Sequence, residues 1–113
     1  MKQVMVRYEV KPEHAVRNEA LVRRVYEELE QTAPQGFQYA TFVLDDGVSF
    51  VHLASFQNDE GPNTLTDIAA FRAFQEGIEE RCDKSPRVTD LREIGSYGHF
   101  TAANNVGETA AIR

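Results

Sequence analysis

The chain predicts an α+β domain of order βαββαβ, with a four-stranded antiparallel sheet and two helices on one of its faces. Three observations predict it. A strand, an amphipathic helix and a strand follow one another over residues 2–44, and the same pattern recurs over 48–97. Asp46-Gly47 joins the two passes as a hairpin, because a type I′ turn needs positive φ at both central residues. The 113 residues, 42% of them hydrophobic, suit one packed domain and are too few for two.

The first strand is Gln3–Val10, in which Val4, Val6, Tyr8 and Val10 alternate with Met5, Arg7 and Glu9. Pro12 presets a helical φ and Glu13 places negative charge where a helix start favours it. The first helix covers His14–Gln31, with Leu21, Val22, Val25 and Leu29 as its apolar stripe and Arg17, Arg23, Arg24, Glu27 and Glu30 mostly on the wet side. Pro34 and Gly36 end that region. The second strand is Phe37–Leu44 and the third Val48–Phe56. With Asp46 and Gly47 as the turn, Thr41 faces His52, Phe42 faces Val51 and Ala40 faces Leu53; a three-residue loop with a bulge would shift this register by one. A polar loop, Gln57–Asn63, leads to a second helix from Thr64 to about Cys82, with Ile68, Phe71, Phe74, Ile78 and Cys82 at helical spacing. Gly77 inside it costs about 1 kcal/mol against alanine. Pro86 stops the helix and the fourth strand is Val88–Tyr97. Right-handed crossovers then give a ferredoxin-like sandwich over 1–97. The tail over 98–113 is poor in large apolar groups and is expected to dock on a partner subunit.

RNA binding needs a basic face and stacking aromatics, whereas the net charge of −6 repels phosphates, so no nucleic-acid partner is expected. A single cysteine, Cys82, permits no internal disulfide and falls on the apolar stripe as buried filler. Three scattered His and one Cys do not make a zinc pattern, and no nucleotide motif occurs, so no cofactor or metal is expected. No apolar run approaches the roughly 20 residues that span a bilayer, so no membrane association is expected. Met1 leads straight into a strand without a signal-like segment, and a cytoplasmic location is the default expectation.

Two helices cover one sheet face and leave the other bare. The expected helix-facing set is Val4, Val6, Ala40, Phe42, Val51 and Leu53, because these are uncharged and mostly small or branched. The opposite face then carries Met5, Arg7, Phe37, Tyr39, Thr41, Val43, Phe50, His52, Ala54 and Phe56, with either Arg92 or Glu93. A soluble monomer rarely exposes such a patch. Burying each Phe gains about 2 kcal/mol, and a second copy about a twofold axis is the simplest cover. Polar groups among aromatic walls suit a small-molecule pocket. Arg7, if buried there, needs an acid, a ligand or water.

The run Met5-Val6-Arg7-Tyr8-Glu9-Val10-Lys11-Pro12, the helical Phe71-Arg72-Ala73-Phe74 and the closing Ile94-Gly95-Ser96-Tyr97 resemble the antibiotic biosynthesis monooxygenase-like family of dimeric α+β barrels. The resemblance covers Met1 to about Tyr97 and carries architecture rather than a catalytic signature. It implies a homodimer in which two sheets pair into a barrel, with a pocket between the helices and the inner sheet face. In some members it implies oxidation of phenolic or quinol-like compounds by O₂ without metal or flavin, the substrate anion supplying the electrons. In that frame, face analysis assigns proton transfer to His52, anion binding to Arg7 and ring orientation to Tyr39. Met5, Thr41, Phe50 and Phe71 are the expected substrate contacts. The chain has no Trp, which some members place in the pocket, and the Asn, Trp and His set of the haem-degrading branch is not matched. The expected function is a cofactor-independent monooxygenase acting on a small aromatic, quinol or polyketide-like compound. A non-catalytic small-molecule-binding or stress-response dimer, and an isomerase or lyase using the same pocket, stay open.

Overall fold

A computed structural model describes residues 2–57 and 63–98. The strands β1 (Lys2–Val10), β2 (Phe37–Val43), β3 (Ser49–Phe56) and β4 (Cys82–Leu91) form one antiparallel sheet in the order β2-β3-β1-β4. A 3₁₀ turn at Pro12–His14 leads into α1 (Ala15–Thr32). Between β3 and β4 come α2 (Asn63–Thr66), α3 (Ala69–Gln75) and α4 (Ile78–Arg81). The arrangement is the ferredoxin-like α+β fold. Most of the 98–113 tail and of the 57–63 loop lies outside the described residues.

The hairpin register is the expected one: Thr41 pairs with His52, Phe42 with Val51 and Ala40 with Leu53. The connection is looser than a two-residue turn. Gly47 N–H donates to the Leu44 carbonyl, and the Asp46 carboxylate accepts from the Val48 and Ser49 N–H groups and from the Ser49 hydroxyl. Gly47 takes φ 77°, which an L side chain resists.

The second helix differs from its expected form. One helix over 64–82 is replaced by three short ones. Ile68 is extended and Gly77 is left-handed at φ 77°, so the chain turns twice where the apolar spacing alone suggests continuity. Cys82 starts β4 rather than closing a helix, and Pro86 lies inside that strand. An edge strand tolerates proline because its outer N–H groups pair with nothing in the sheet. The β1–β4 register shifts between Arg7 and Glu9 and again between Glu9 and Val10, each time with an extra residue on β4. Residues 92–97, expected as strand, continue beyond β4 without strand pairing.

The face assignment is also corrected. Val4 pairs with Ala54, Val6 with His52 and Tyr8 with Phe50, so these residues share one face. That is the helix face. Tyr8, Val10 and Phe50 pack with Leu21, Val22 and Val25 of α1, Phe74 of α3 and Cys82 as the main core, and Ala54, Phe56 and Leu65 form a second cluster. Ala40, Phe42, Val51 and Leu53 lie on the opposite face with Met5 and Arg7. The physical reason is that the gap between sheet and helices accommodates aromatic rings, with Tyr8 stacked on Phe50 at 5.4 Å between centroids. The open face stays partly apolar, with Phe42 44% and Leu91 40% exposed.

Candidate functional site

The strand alternation that sends Val4, Val6 and Tyr8 inward also sends Tyr39, His52 and Ala54 inward from the neighbouring strands. The three short helices close over them without filling the space. A cavity of about 390 Å³ remains, walled by Val4, Val6, Phe56, Leu65, Phe71, Phe74, Ile78 and Val88, with Tyr8, Tyr39 and His52 also in its lining. A separate groove of about 540 Å³ lies on the open face, between Gln38, Ala40, Phe42 and Leu53 on one side and the segment 91–96 on the other.

Beside the cavity runs a continuous chain of buried and half-buried polar groups. Arg81 Nε donates to Asn18 Oδ1 at 3.1 Å, and Asn18 Nδ2 donates to the Tyr8 hydroxyl at 2.9 Å. The Tyr8 hydroxyl meets His52 Nε2 at 2.8 Å. On the other side of the ring, His52 Nδ1 meets the Tyr39 hydroxyl at 2.7 Å and Thr41 Oγ1 at 3.2 Å. Thr41 Oγ1 in turn meets the Tyr26 hydroxyl at 2.8 Å. Asn18, His52 and Arg81 are all buried.

Arg81 reaches this position because of Gly77. The break at Gly77 ends α3 and frees its last carbonyls, which the guanidinium then caps: Nη2 donates to Phe74 O at 2.6 Å and Nη1 to Glu76 O at 3.0 Å. The guanidinium also lies 5.5 Å from the centre of the Phe74 ring. The hydrogen bonds found for it go to neutral oxygens.

Burial sets the protonation states. Desolvation lowers His52 to about 4, so the imidazole is neutral at pH 7. Desolvation raises Tyr26 to about 12 and raises Tyr8 and Tyr39 as well; the hydrogen bond from Asn18 acts against the shift at Tyr8. All three phenols therefore carry their protons. Among the described residues, no group of three or more His, Cys, Asp or Glu side chains could hold a metal ion.

The structure brings together His52, Tyr39 and Thr41, stacks Phe50 behind Tyr8 and puts Phe71 in the cavity wall. It separates Arg7 and Met5 from them. Both lie on the open face, where Arg7 is exposed, so Arg7, Tyr39 and His52 do not share a hollow. The cause is the β1–β3 register, which puts Val6 rather than Arg7 opposite His52. Asn18, Arg81, Tyr8 and Tyr26 were not anticipated as site residues. The available signal was a polar residue at an apolar-stripe spacing: Asn18 precedes Leu21, Val22 and Val25 at helical intervals, and Arg81 follows Phe74 and Ile78.

No family model matches the chain, and no curated protein matches it in sequence. Solved structures do match in fold. A protein from Nitrosomonas europaea provisionally named an antibiotic biosynthesis monooxygenase superposes with TM-score 0.70 at 12% identity, over 84% of this chain and 100% of its own. Another structure named antibiotic biosynthesis monooxygenase gives TM-score 0.67 at 17% identity, over 84% of this chain and 100% of its own. SnoaB, a cofactor-independent oxygenase from Streptomyces nogalater, gives 0.62 at 11% identity, over 84% and 94%. The chain thus has the fold of the antibiotic biosynthesis monooxygenase structures. At these identities the likeness concerns the fold alone.

Proposed function

We propose that the cavity between the sheet and α3 binds a small aromatic, quinol or polyketide-like compound, and that the protein is a cofactor-independent monooxygenase acting on it. The observation that carries this reading is the composition of the cavity: apolar and aromatic walls around Tyr39 and a neutral His52. Such a site dehydrates an aromatic ring and orients it through few polar groups. A phenolic substrate bound as its phenolate, with the proton already given to solvent, is electron-rich enough to reduce O₂ directly, and hydrogen-bond donors aimed at its oxygen stabilise the anion. Tyr39 orients the ring, while His52, Thr41 and Phe71 hold the pocket around it. The shift of His52 to about 4 makes it a weak base at neutral pH. Its contribution is accordingly hydrogen bonding, with little proton abstraction.

The exposed apolar groups of the opposite face, Phe42 and Leu91 beside Met5 and Leu53, suit a second copy of the chain as their cover. The test of function is an oxygen-electrode screen of hydroquinones and phenols with chelator-treated protein. The expected result is O₂ uptake that falls at least tenfold in Tyr39→Phe. Thermal stabilisation by the same compounds without O₂ uptake would instead establish a binding protein. Product formed without O₂ would establish an isomerase or lyase.

A further inference from the structure

We propose that Arg81, Asn18 and Tyr8 form a one-way hydrogen-bond chain that holds His52 as its Nδ1–H tautomer, so that the cavity offers the Tyr39 O–H to an acceptor oxygen of the ligand, a phenolate or a carbonyl. The ligand clause rests on the function proposed above; the tautomer clause does not.

The argument is donor and acceptor counting. A guanidinium only donates. Its Nε therefore fixes which end of the Asn18 amide faces it: the oxygen accepts, and the NH₂ points at Tyr8. Turning the amide over would set N–H against N–H. The Tyr8 hydroxyl now accepts from Asn18, and its own proton needs an acceptor in a place where only 2% of the residue is exposed. His52 Nε2, at 2.8 Å, is the acceptor in reach among the described hydrogen bonds. A Nε2–H would leave the Tyr8 proton buried and unmatched, at the full desolvation penalty of that hydroxyl. Nε2 is thus bare, and the one proton of the neutral ring sits on Nδ1.

Nδ1–H donates to the Tyr39 hydroxyl at 2.7 Å, its shorter contact. Tyr39 then has no use for its own proton at the imidazole. That proton is free for Thr41 or for a bound oxygen, and the N–H behind it makes the hydroxyl a stronger donor. The opposite tautomer would reverse this: Tyr39 would donate to Nδ1, and the cavity would offer an acceptor to the ligand. Arg81, Asn18 and Tyr8 are positioning residues that set the polarity of the site through His52, and Arg81 and Asn18 do so from outside the cavity lining.

Long-range ¹H–¹⁵N NMR of the imidazole tests the chain. Wild type is expected to show protonated Nδ1 and bare Nε2 at His52. Asn18→Asp keeps the shape and the Arg81 contact but supplies only acceptors, so Tyr8 donates to Asp and accepts from His52. The tautomer is expected to reverse to Nε2–H. Tyr8→Phe, which removes the donor to Nε2, is expected to populate both forms. A Nε2–H wild type, or a folded Asn18→Asp or Tyr8→Phe protein with the wild-type tautomer, would overturn the chain. Separately, 4-nitrophenol reports the ligand class by its colour. Wild type should bind the phenolate at least tenfold more tightly than the neutral phenol, and Tyr39→Phe should lose that preference. A correct tautomer with no phenolate preference would overturn the ligand class alone.

Discussion

Burial of His52 makes stability depend on pH. An ordinary imidazole near 6.5 falls to about 4 in the folded protein. Between those values the unfolded chain binds the proton that the folded protein refuses, so folding stability decreases as pH falls from about 6.5 to about 4 and is flat above. The full effect is about 3 kcal/mol. Urea unfolding at pH 5 and pH 7 should show a larger loss for wild type than for His52→Asn, and equal losses would contradict the burial. Asn18→Ala removes the donor to the Tyr8 hydroxyl and the acceptor of Arg81 Nε, leaving each one buried hydrogen bond short, and should cost about 2–3 kcal/mol. An exposed Asn on a wet helix face would cost almost nothing. At this scale the parity of β2 and β3 was legible: Tyr39, Thr41, Phe50 and His52 are expected on one sheet face, and they share one. The placement of Arg7 and Met5 was not, because parity within a strand does not say which residue of a non-adjacent strand it meets. Nor did parity say which face of β2 and β3 the helices cover.

Gly77 decides the architecture of the region between β3 and β4. At φ 77° it terminates α3, and the freed carbonyls recruit Arg81. In a continuous helix, replacing glycine by alanine would stabilise by about 1 kcal/mol. Here the left-handed backbone makes Gly77→Ala destabilising by about 1–2 kcal/mol, and the sign of the change in a urea midpoint distinguishes the two. Its added Cβ meets Arg81 Nη1 at only 3.8 Å, so the cost is backbone strain rather than collision. This break was illegible because Phe71, Phe74 and Ile78 keep helical spacing across it. The β2–β3 hairpin was legible for the opposite reason: its turn residues and alternation narrow the register to two, one of which is observed. β1 and β3 are joined by no hairpin, and a one-residue slip between them exchanges the faces of a strand. That slip accounts for the misplacement of Arg7 relative to His52.

Two faces of one sheet compete for the functional role in the molecule as a whole. The open face carries a groove with Phe42 and Leu91 exposed; the helix face carries the cavity with the polar chain beside it. Dimerisation through the open face would leave the cavity intact. Phe42→Asp should then convert a dimer to a monomer in sedimentation at micromolar concentration, with binding at the cavity retained. A wild-type protein that sediments as a monomer would contradict that pairing. Among the described residues no helix is long and apolar enough to cross a membrane.

Location of the bound ligand tests the central claim most directly. Titrating ¹⁵N-labelled protein with a hydroquinone that scores in the oxygen-electrode screen should move the amide signals of Tyr39, His52, Phe71 and Phe74. Shifts confined to Ala40, Phe42, Leu53 and Leu91 would place the site on the open face and contradict the account.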